Sequence, residues 1–343
     1  MNKKLIAGLC NAHSAPGYED EIREIMKKEL ANVCDVISVD KLGNLIAKKG
    51  DGGKKIMLDA HMDEIGLIIK NIDKEGFIKF TTLGGFSNQT LLNQKVVIHT
   101  DKGRVHGVVG SKPPHLMEEE ERKKIVKAEN MFIDIGAESN SGAGDIGVAV
   151  GDFITMDMNF RELGGDFITG KAFDDRLGCY VMIEVMKRID ASDVEVYAVG
   201  SVQEEVGLKG ARTAAYKINP DYALVLDVTT TGDYPGVKED KSTNKLGKGA
   251  VISLADSSGR GLITHPKVKK ILLNTAREEN IMYQLEVGEG GTTNATVIHL
   301  TREGVPSGVI SVPTRYIHSP VEVARLRDIE AVIDLTAKAI NRI

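Results

Sequence analysis

Gly170-Lys171-Ala172-Phe173-Asp174-Asp175-Arg176-Leu177-Gly178 sets two adjacent carboxylates where a strand turns into a helix. The run Asp166-Phe167-Ile168-Thr169 before it reads as extended chain. After it, Leu177, Tyr180, Val181, Glu184, Val185 and Arg188 fall at helical spacing. A carboxylate at such a junction can turn both oxygens into a cleft, so a single Asp could bridge two metal ions. It can equally cap the helix, since Asp is a favoured N-cap residue. Asp174 and Asp175 leave both readings open.

On either side of this stretch the chain alternates helices with buried strands. Residues 18–33 carry Ile22, Ile25, Met26, Leu30 and Val33 at helical period, and strand-like runs follow at 35–39 and 44–47. Lys55-Ile56-Met57-Leu58-Asp59-Ala60 reads as a buried strand ending at His61-Met62-Asp63-Glu64. Downstream, residues 194–201 form a strand leading to Gln203-Glu204-Glu205. A helix over 207–217 and the strand Tyr222-Ala223-Leu224-Val225-Leu226, ending at Asp227, come next. The remaining expected elements are strands over 250–254, 281–287 and 308–312, and helices over 267–278, from about 294, and over 326–340. This alternation predicts an α/β sheet, a fold that gathers functional residues at strand ends.

Residues 70–163 have another texture. Short β runs at 77–81, 95–100, 104–109, 132–135 and 153–156 are separated by Gly, Asp and Asn turns, and only residues 117–127 look helical. Closely spaced short strands predict a small barrel or sandwich. Because the α/β pattern resumes near Asp166, the insert divides a first domain into residues 1–69 and 164–343.

The composition narrows the function classes. With 343 residues the chain has room for one large domain or two of ordinary size. Lys and Arg number 44 against 49 Asp and Glu, which argues against nucleic acid as the main partner. Cys10, Cys34 and Cys179 form no CxxC spacing, so a reducing, cytoplasmic location is the simpler expectation. The N-terminus does not read as a signal peptide, and no run approaches the roughly 18–20 apolar residues of a membrane helix.

His61, Glu204-Glu205, Asp227 and His318 sit at four expected strand ends, and Asp174 makes a fifth position. Two His and several carboxylates are ligand types for a pair of zinc, cobalt or manganese ions. Of the neighbours Glu204 and Glu205, one can ligate while the other stays free as a general base. Asp63 could accept the second imidazole N–H of His61 and fix its tautomer. Singly, each has a duller reading: a turn cap for Asp227, a buried hydrogen-bonded ring for His318, a solvated loop pair for the two Glu. His13, His99, His106, His265 and His299 read as structural, and Cys179 as a small core residue. His115 follows Pro113-Pro114 in a fixed loop, where it contacts the first domain or simply packs.

Four stretches resemble the motifs of metallopeptidase family 42, the tetrahedral, self-compartmentalising aminopeptidases of bacteria and archaea. These are Ala60-His61-Met62-Asp63-Glu64-Ile65-Gly66, the stretch 170–178, Gln203-Glu204-Glu205-Val206-Gly207 and Arg315-Tyr316-Ile317-His318-Ser319-Pro320. Ser111-Lys112-Pro113-Pro114-His115 in the insert adds to the likeness. The resemblance implies a zinc-peptidase-like catalytic domain, a mixed sheet with helices on both faces, interrupted by a small β-barrel dimerisation domain. It implies one metal on His61, Asp174 and Asp227 and a second on Asp174, Glu205 and His318, with Glu204 as general base and Asp63 orienting His61. It further implies a hydroxide bridging the two ions as nucleophile, short peptides as substrates, and dimers assembling into a hollow homododecamer. One departure stands out: Gly291-Thr292-Thr293-Asn294-Ala295-Thr296 occupies the place of a Gly-Thr-Asp-Ala-Gly-like run, so Asn294 replaces an acid near the expected substrate pocket. Rival expectations are a related metal deacylase or carboxypeptidase, the endoglucanase label some members carry, and a catalytically silent assembly protein. Glycosidases usually need no metal, and a silent protein would show broken ligands, whereas every proposed ligand is present.

Overall fold

The computed structural model of the chain describes residues 1–238 and 243–343. Helices α1 (Lys3–Asn11) and α2 (Asp20–Leu30) precede strands β1 (Val36–Val39), β2 (Leu45–Lys49) and β3 (Lys54–His61). Helix α1 was not expected from the sequence. Its apolar Leu5, Ile6, Leu9 and Cys10 share one buried face, and Asn2 caps it by accepting the N–H of Leu5.

The insert follows. It holds β4 (Gly66–Ile72), β5 (Ile78–Leu83), the short helix α3 (Asn88–Leu91), β6 (Lys95–Thr100) and β7 (Gly103–Gly110). Helix α4 (Glu119–Arg122), β8 (Phe132–Asp134), α5 (Asn140–Asp145) and β9 (Phe153–Met156) complete it. Six of these strands close into a barrel in the order β4-β5-β8-β7-β6-β9, which leaves no free edge there and decides between barrel and sandwich. Ile69, Ile78, Ile98, Val109, Ile133 and Ile154 fill its interior. The helix expected over 117–127 shrinks to one turn, α4, because its flanking residues are charged and exposed and bury no face.

The chain then returns through β10 (Arg161–Glu162) and β11 (Phe167–Gly170) to α6 (Phe173–Arg188). After it come β12 (Val194–Ser201), α7 (Lys209–Ile218), β13 (Tyr222–Thr230), β14 (Ala250–Ala255), α8 (Pro266–Glu278) and β15 (Tyr283–Val287). The one-turn helix α9 (Ala295–Ile298), β16 (Ser307–Thr314), β17 (Glu322–Arg325) and α10 (Leu326–Ile340) end the fold. Eight strands make a mixed sheet in the order β1-β2-β12-β3-β13-β16-β14-β15. Its centre is parallel: β12, β3, β13 and β16 run in one direction, with β2 and β14 antiparallel at the flanks. Helices α1, α2, α6, α8 and α10 pack on one face, and α7 and α9 on the other. The fold is therefore α/β with helices on both faces of a mixed sheet and a small closed β-barrel.

A buried ionic cluster pins the start of α6 to the end of β3. Lys171 Nζ lies 2.6 and 2.7 Å from the two carboxylate oxygens of Glu64 and donates to the carbonyl of Ala12 at 3.0 Å. Arg176 donates to the carbonyl of Leu9 at 2.6 Å and to Glu64 at 3.4 Å, and Ser14 N–H donates to the same carboxylate. All three ionic side chains are buried. Removing one member leaves a buried charge with too few partners. The Lys171→Met variant is accordingly expected to lose about 3–5 kcal/mol of stability, measured by denaturant unfolding of the metal-free protein.

Candidate metal centre

The two parallel strands at the middle of the sheet set the floor. His61 is the last residue of β3, and Asp227 lies on the neighbouring β13, which runs on for three residues beyond it. Asp227 is thus inside a strand, paired with Ser311 of β16. Glu204 and Glu205 follow the end of β12. His318 sits in the turn between β16 and β17 instead of at a strand end, with its backbone at φ 60°.

Asp174 joins them. Its Oδ1 lies 3.0 Å from His61 Nε2 and its Oδ2 lies 3.2 Å from His318 Nε2, so its two oxygens are divided between two imidazoles. Glu205 Oε1 is 3.5 Å from His318 Nε2, and Glu204 Oε2 is 4.0 Å from His61 Nε2. Ligand atoms of His61, Asp174 and Glu205 fall within 4.8 Å of one another, as do those of His61, Asp175 and Asp227. All the expected ligand positions therefore converge, and Asp175 enters the set as well.

The cap falls on Asp175, and the carboxylate facing the two imidazoles is that of Asp174. Asp174 and Asp175 have non-helical dihedrals, so regular helix begins after them. Asp175 Oδ1 accepts the N–H of Gly178 at 3.0 Å, the bond of an N-cap, while its Oδ2 accepts the main-chain N–H of His61 at 3.1 Å. A Cβ on residue 178 would lie 2.2 Å from Asp175 Oδ1, so glycine is required there.

At His61 the acceptor of the ring N–H is the main chain of Asp63. The ring Nδ1–H of His61 donates to the main-chain carbonyl of Asp63 at 3.0 Å, and the Asp63 carboxylate stands 3.5 Å away. That carboxylate instead accepts the N–H groups of Glu204 at 2.9 Å and Glu205 at 3.0 Å. Either way Nδ1 carries the proton and Nε2 faces the cluster, the tautomer a metal ligand needs.

Charge in the cluster is unbalanced without a cation. Burial pushes Glu204 and Asp175 well above the usual carboxylate range, and nearby carboxylates add to it. Burial likewise lifts Glu205 to about 8 and Asp227 to about 7, each with Asp174 as the next cause. Asp174 goes the other way: burial is outweighed by His318 and His61, which hold it below the normal range. His318 rises to about 10, chiefly through its bond to Asp174. Burial opposes a charge on His61, but Glu204, Asp174 and Asp63 outweigh it and raise its pKa. Glu205 Oε1 is also buried without a hydrogen-bond partner. Imidazole and carboxylate donors of this kind suit divalent zinc, cobalt or manganese.

The centre opens into a cleft of about 720 Å³, lined on its far side by Ser253, Glu286, Thr292, Thr293 and Thr296. Asn294 does not line it. Its Nδ2 donates to Asp59 at 2.8 Å and to Ser201 at 2.9 Å beneath β3, so a carboxylate is still present at that contact, supplied by Asp59. Burial lifts Asp59 to about 7.

Four of the five histidines read as structural have bonding partners, and His106 is exposed on β7. His13 and His99 both bond Thr155 Oγ1, at 2.6 and 3.0 Å, which ties the turn after α1 to the barrel. His265 caps α8, and His299 donates to the carbonyl of Ala295. His115 is exposed on the turn Pro114–Leu116. Cys179 is buried and donates to the carbonyl of His61. Glu64 and Glu322 were missed as site residues, although Glu64 lies in a quoted motif. An acid in a motif reads as solvated until its burial is known.

Residues 43–335 match the family of M42 glutamyl aminopeptidases. The chain belongs to that family. The M42 chain is 36% identical over 340 residues to the lysyl aminopeptidase of Pyrococcus furiosus, covering 98% of this chain and 96% of that one. An aminopeptidase from the archaeon Desulfurococcus kamchatkensis has the same structure with a TM-score of 0.94 at 44% identity, over 98% of this chain and 93% of that chain. The Pyrococcus horikoshii TET1 peptidase, described as assembling into a tetrahedron or a large octahedral shell, gives 0.87 at 34% identity over 98% of each chain. This M42 protein is accordingly a metallo-aminopeptidase, and its His and carboxylate cluster offers groups that could hold a metal ion. Among the described residues, no helix is long and apolar enough to cross a membrane.

Proposed function

We propose that the chain removes N-terminal residues from short peptides with two divalent cations per subunit. The division of Asp174 between His61 and His318 carries this reading, since a carboxylate with one oxygen for each imidazole suits a bridge. One cation would be held by His61, Asp174 and Asp227, the other by Asp174, Glu205 and His318. Asp175 is the poorer bridge because both its oxygens already accept backbone N–H groups. Zinc, cobalt or manganese in these sites would polarise the scissile carbonyl and acidify the attacking water.

The protein's own groups do the rest. Glu204 takes the water's proton at its carboxylate and passes it to the leaving amine. The Asp63 carboxylate holds the main chain of Glu204 and Glu205, so that the base and the neighbouring ligand keep a fixed separation. The free α-amino group of the peptide docks against the carboxylate-lined end of the cleft, which makes the enzyme an exopeptidase. Through the inserted barrel, which begins with β4, the chain pairs with another copy, and dimers build a tetrahedral dodecamer; the relatives described as a tetrahedron and as a dodecamer support such an assembly.

A panel of aminoacyl chromogenic substrates, each metal being restored after chelation, tests this reading. N-acetylation of the same substrates is expected to lower kcat/KM on the order of 10⁴-fold, because a site built around a charged amine rejects its capped form. Equal turnover of free and acetylated substrates would show that no free amine is needed and would overturn the aminopeptidase reading.

A further inference from the structure

We propose that Glu322 is a positioning residue that spaces Asp174 and His318 by accepting the backbone N–H of both. This rests on the two-cation reading of the centre. Glu322 Oε2 accepts from Asp174 N–H at 3.1 Å, and Oε1 accepts from His318 N–H at 3.1 Å. The Phe173 N–H adds a further bond. One carboxylate thus ties together two ligands that lie 144 residues apart, from the start of α6 and from the turn after β16. Glu322 itself is fixed as the first residue of β17, where it pairs with Gly170 of β11.

Three features separate this from ordinary packing. First, Glu322 is buried, and none of the ion pairs among the described residues includes it. A buried carboxylate without a cationic side-chain partner costs stability, and a Leu or Met would fill the same volume more cheaply. Second, Tyr316 and His318 have φ of 63° and 60°. Non-glycine residues persist in that region when their surroundings over-determine them, and the bond from His318 N–H to Glu322 is such a restraint. Third, the same device recurs around the centre. Asp63 holds the amides of Glu204 and Glu205, and Asp175 holds that of His61. Asp63 and Asp175 sit beside a ligand in their own motif, whereas Glu322 bridges two separate segments.

Of the two ligands that Glu322 holds, Asp174 is shared by both cation sites, whereas His318 belongs only to the one formed with Asp174 and Glu205. Its loss should therefore weaken the two cations unequally. In Glu322→Gln the carboxamide keeps the shape, but its –NH₂ faces one of the two N–H donors it formerly accepted, so one tie is lost. Titrating the metal-free full-length protein with Co²⁺, followed by visible absorbance and calorimetry, reads each site without relying on turnover. The variant should bind the second cobalt about 10- to 100-fold more weakly, the cost typical of losing a group that orients a ligand, while the first, which shares only Asp174 with it, loses less. Glu322→Asp retains the charge but is one methylene too short to reach both amides, so it should show the same unequal loss even if the Gln variant folds poorly. Two cobalt ions bound as tightly as in the wild type, or both weakened by the same factor, would overturn the positioning role. A wild-type protein that binds fewer than two would instead overturn the two-cation reading.

Discussion

Glu204→Gln should lower kcat by about 10²- to 10⁴-fold, the usual contribution of a general base, while both cations stay bound. Glu204 is suited to this by what it lacks. Its nearest imidazole is 4.0 Å away, beyond hydrogen-bond reach, whereas Asp174 lies within 3.2 Å of both rings. Its main chain is held by Asp63, which places the carboxylate through its own backbone. The Gln side chain has nearly the same shape and cannot accept that proton. Metal analysis of the purified variant together with steady-state kinetics checks the assignment. Two bound cations with a wild-type kcat would remove Glu204 from the mechanism.

The fold was most legible where a strong period met a buried face. The strand 194–201 and the helix 326–340 have the bounds expected, since one is a compact run with a fully buried end and the 3.6 period of the other is uninterrupted. Legibility failed where a segment is short or its burial comes from a distant partner. Gly66–Ile72 was not read as a strand: it carries Lys70 and Asn71, and only closure against β5 and β9 makes it one. The helix expected from about 294 is a single turn, because Asn294 is drawn down to Asp59 and Ser201 and the chain turns out again by Thr301.

At the centre, residue types and motif order were enough to name His61, Asp174, Glu204, Glu205, Asp227 and His318, and the fold does bring them together. Nothing local could reveal Glu322 or the Glu64–Lys171–Arg176 cluster. Their partners are separated by up to about half the chain, and an isolated Glu carries no mark of burial. The part of Asp63 was half visible. Proximity to His61 suggested that Asp63 accepts the ring N–H but not through which atom; the acceptor is its main-chain carbonyl, and its carboxylate accepts the N–H groups of Glu204 and Glu205.

Asp174→Ala is expected to be the most damaging single change, with binding of both cations lost and kcat/KM reduced by at least about 10³-fold. The magnitude follows from the several kcal/mol of charge stabilisation that a catalytic cation supplies, at tenfold in rate for each 1.36 kcal/mol. Removing a terminal ligand such as His318 should weaken one cation, but Asp174 offers an oxygen on each side. The remaining groups cannot easily compensate. Asp175 is adjacent in sequence, yet its oxygens are committed to the amides of His61 and Gly178, and turning one inward would uncap α6 and release β3. Without Asp174, His61 and His318 also lose their closest carboxylate, at 3.0 and 3.2 Å. Elemental analysis of Asp174→Ala beside His318→Ala separates bridge from terminal ligand. The bridge assignment requires near-zero cation content in the first and close to one equivalent in the second; one equivalent retained in both would make Asp174 a terminal ligand and pass the bridging role to Asp175.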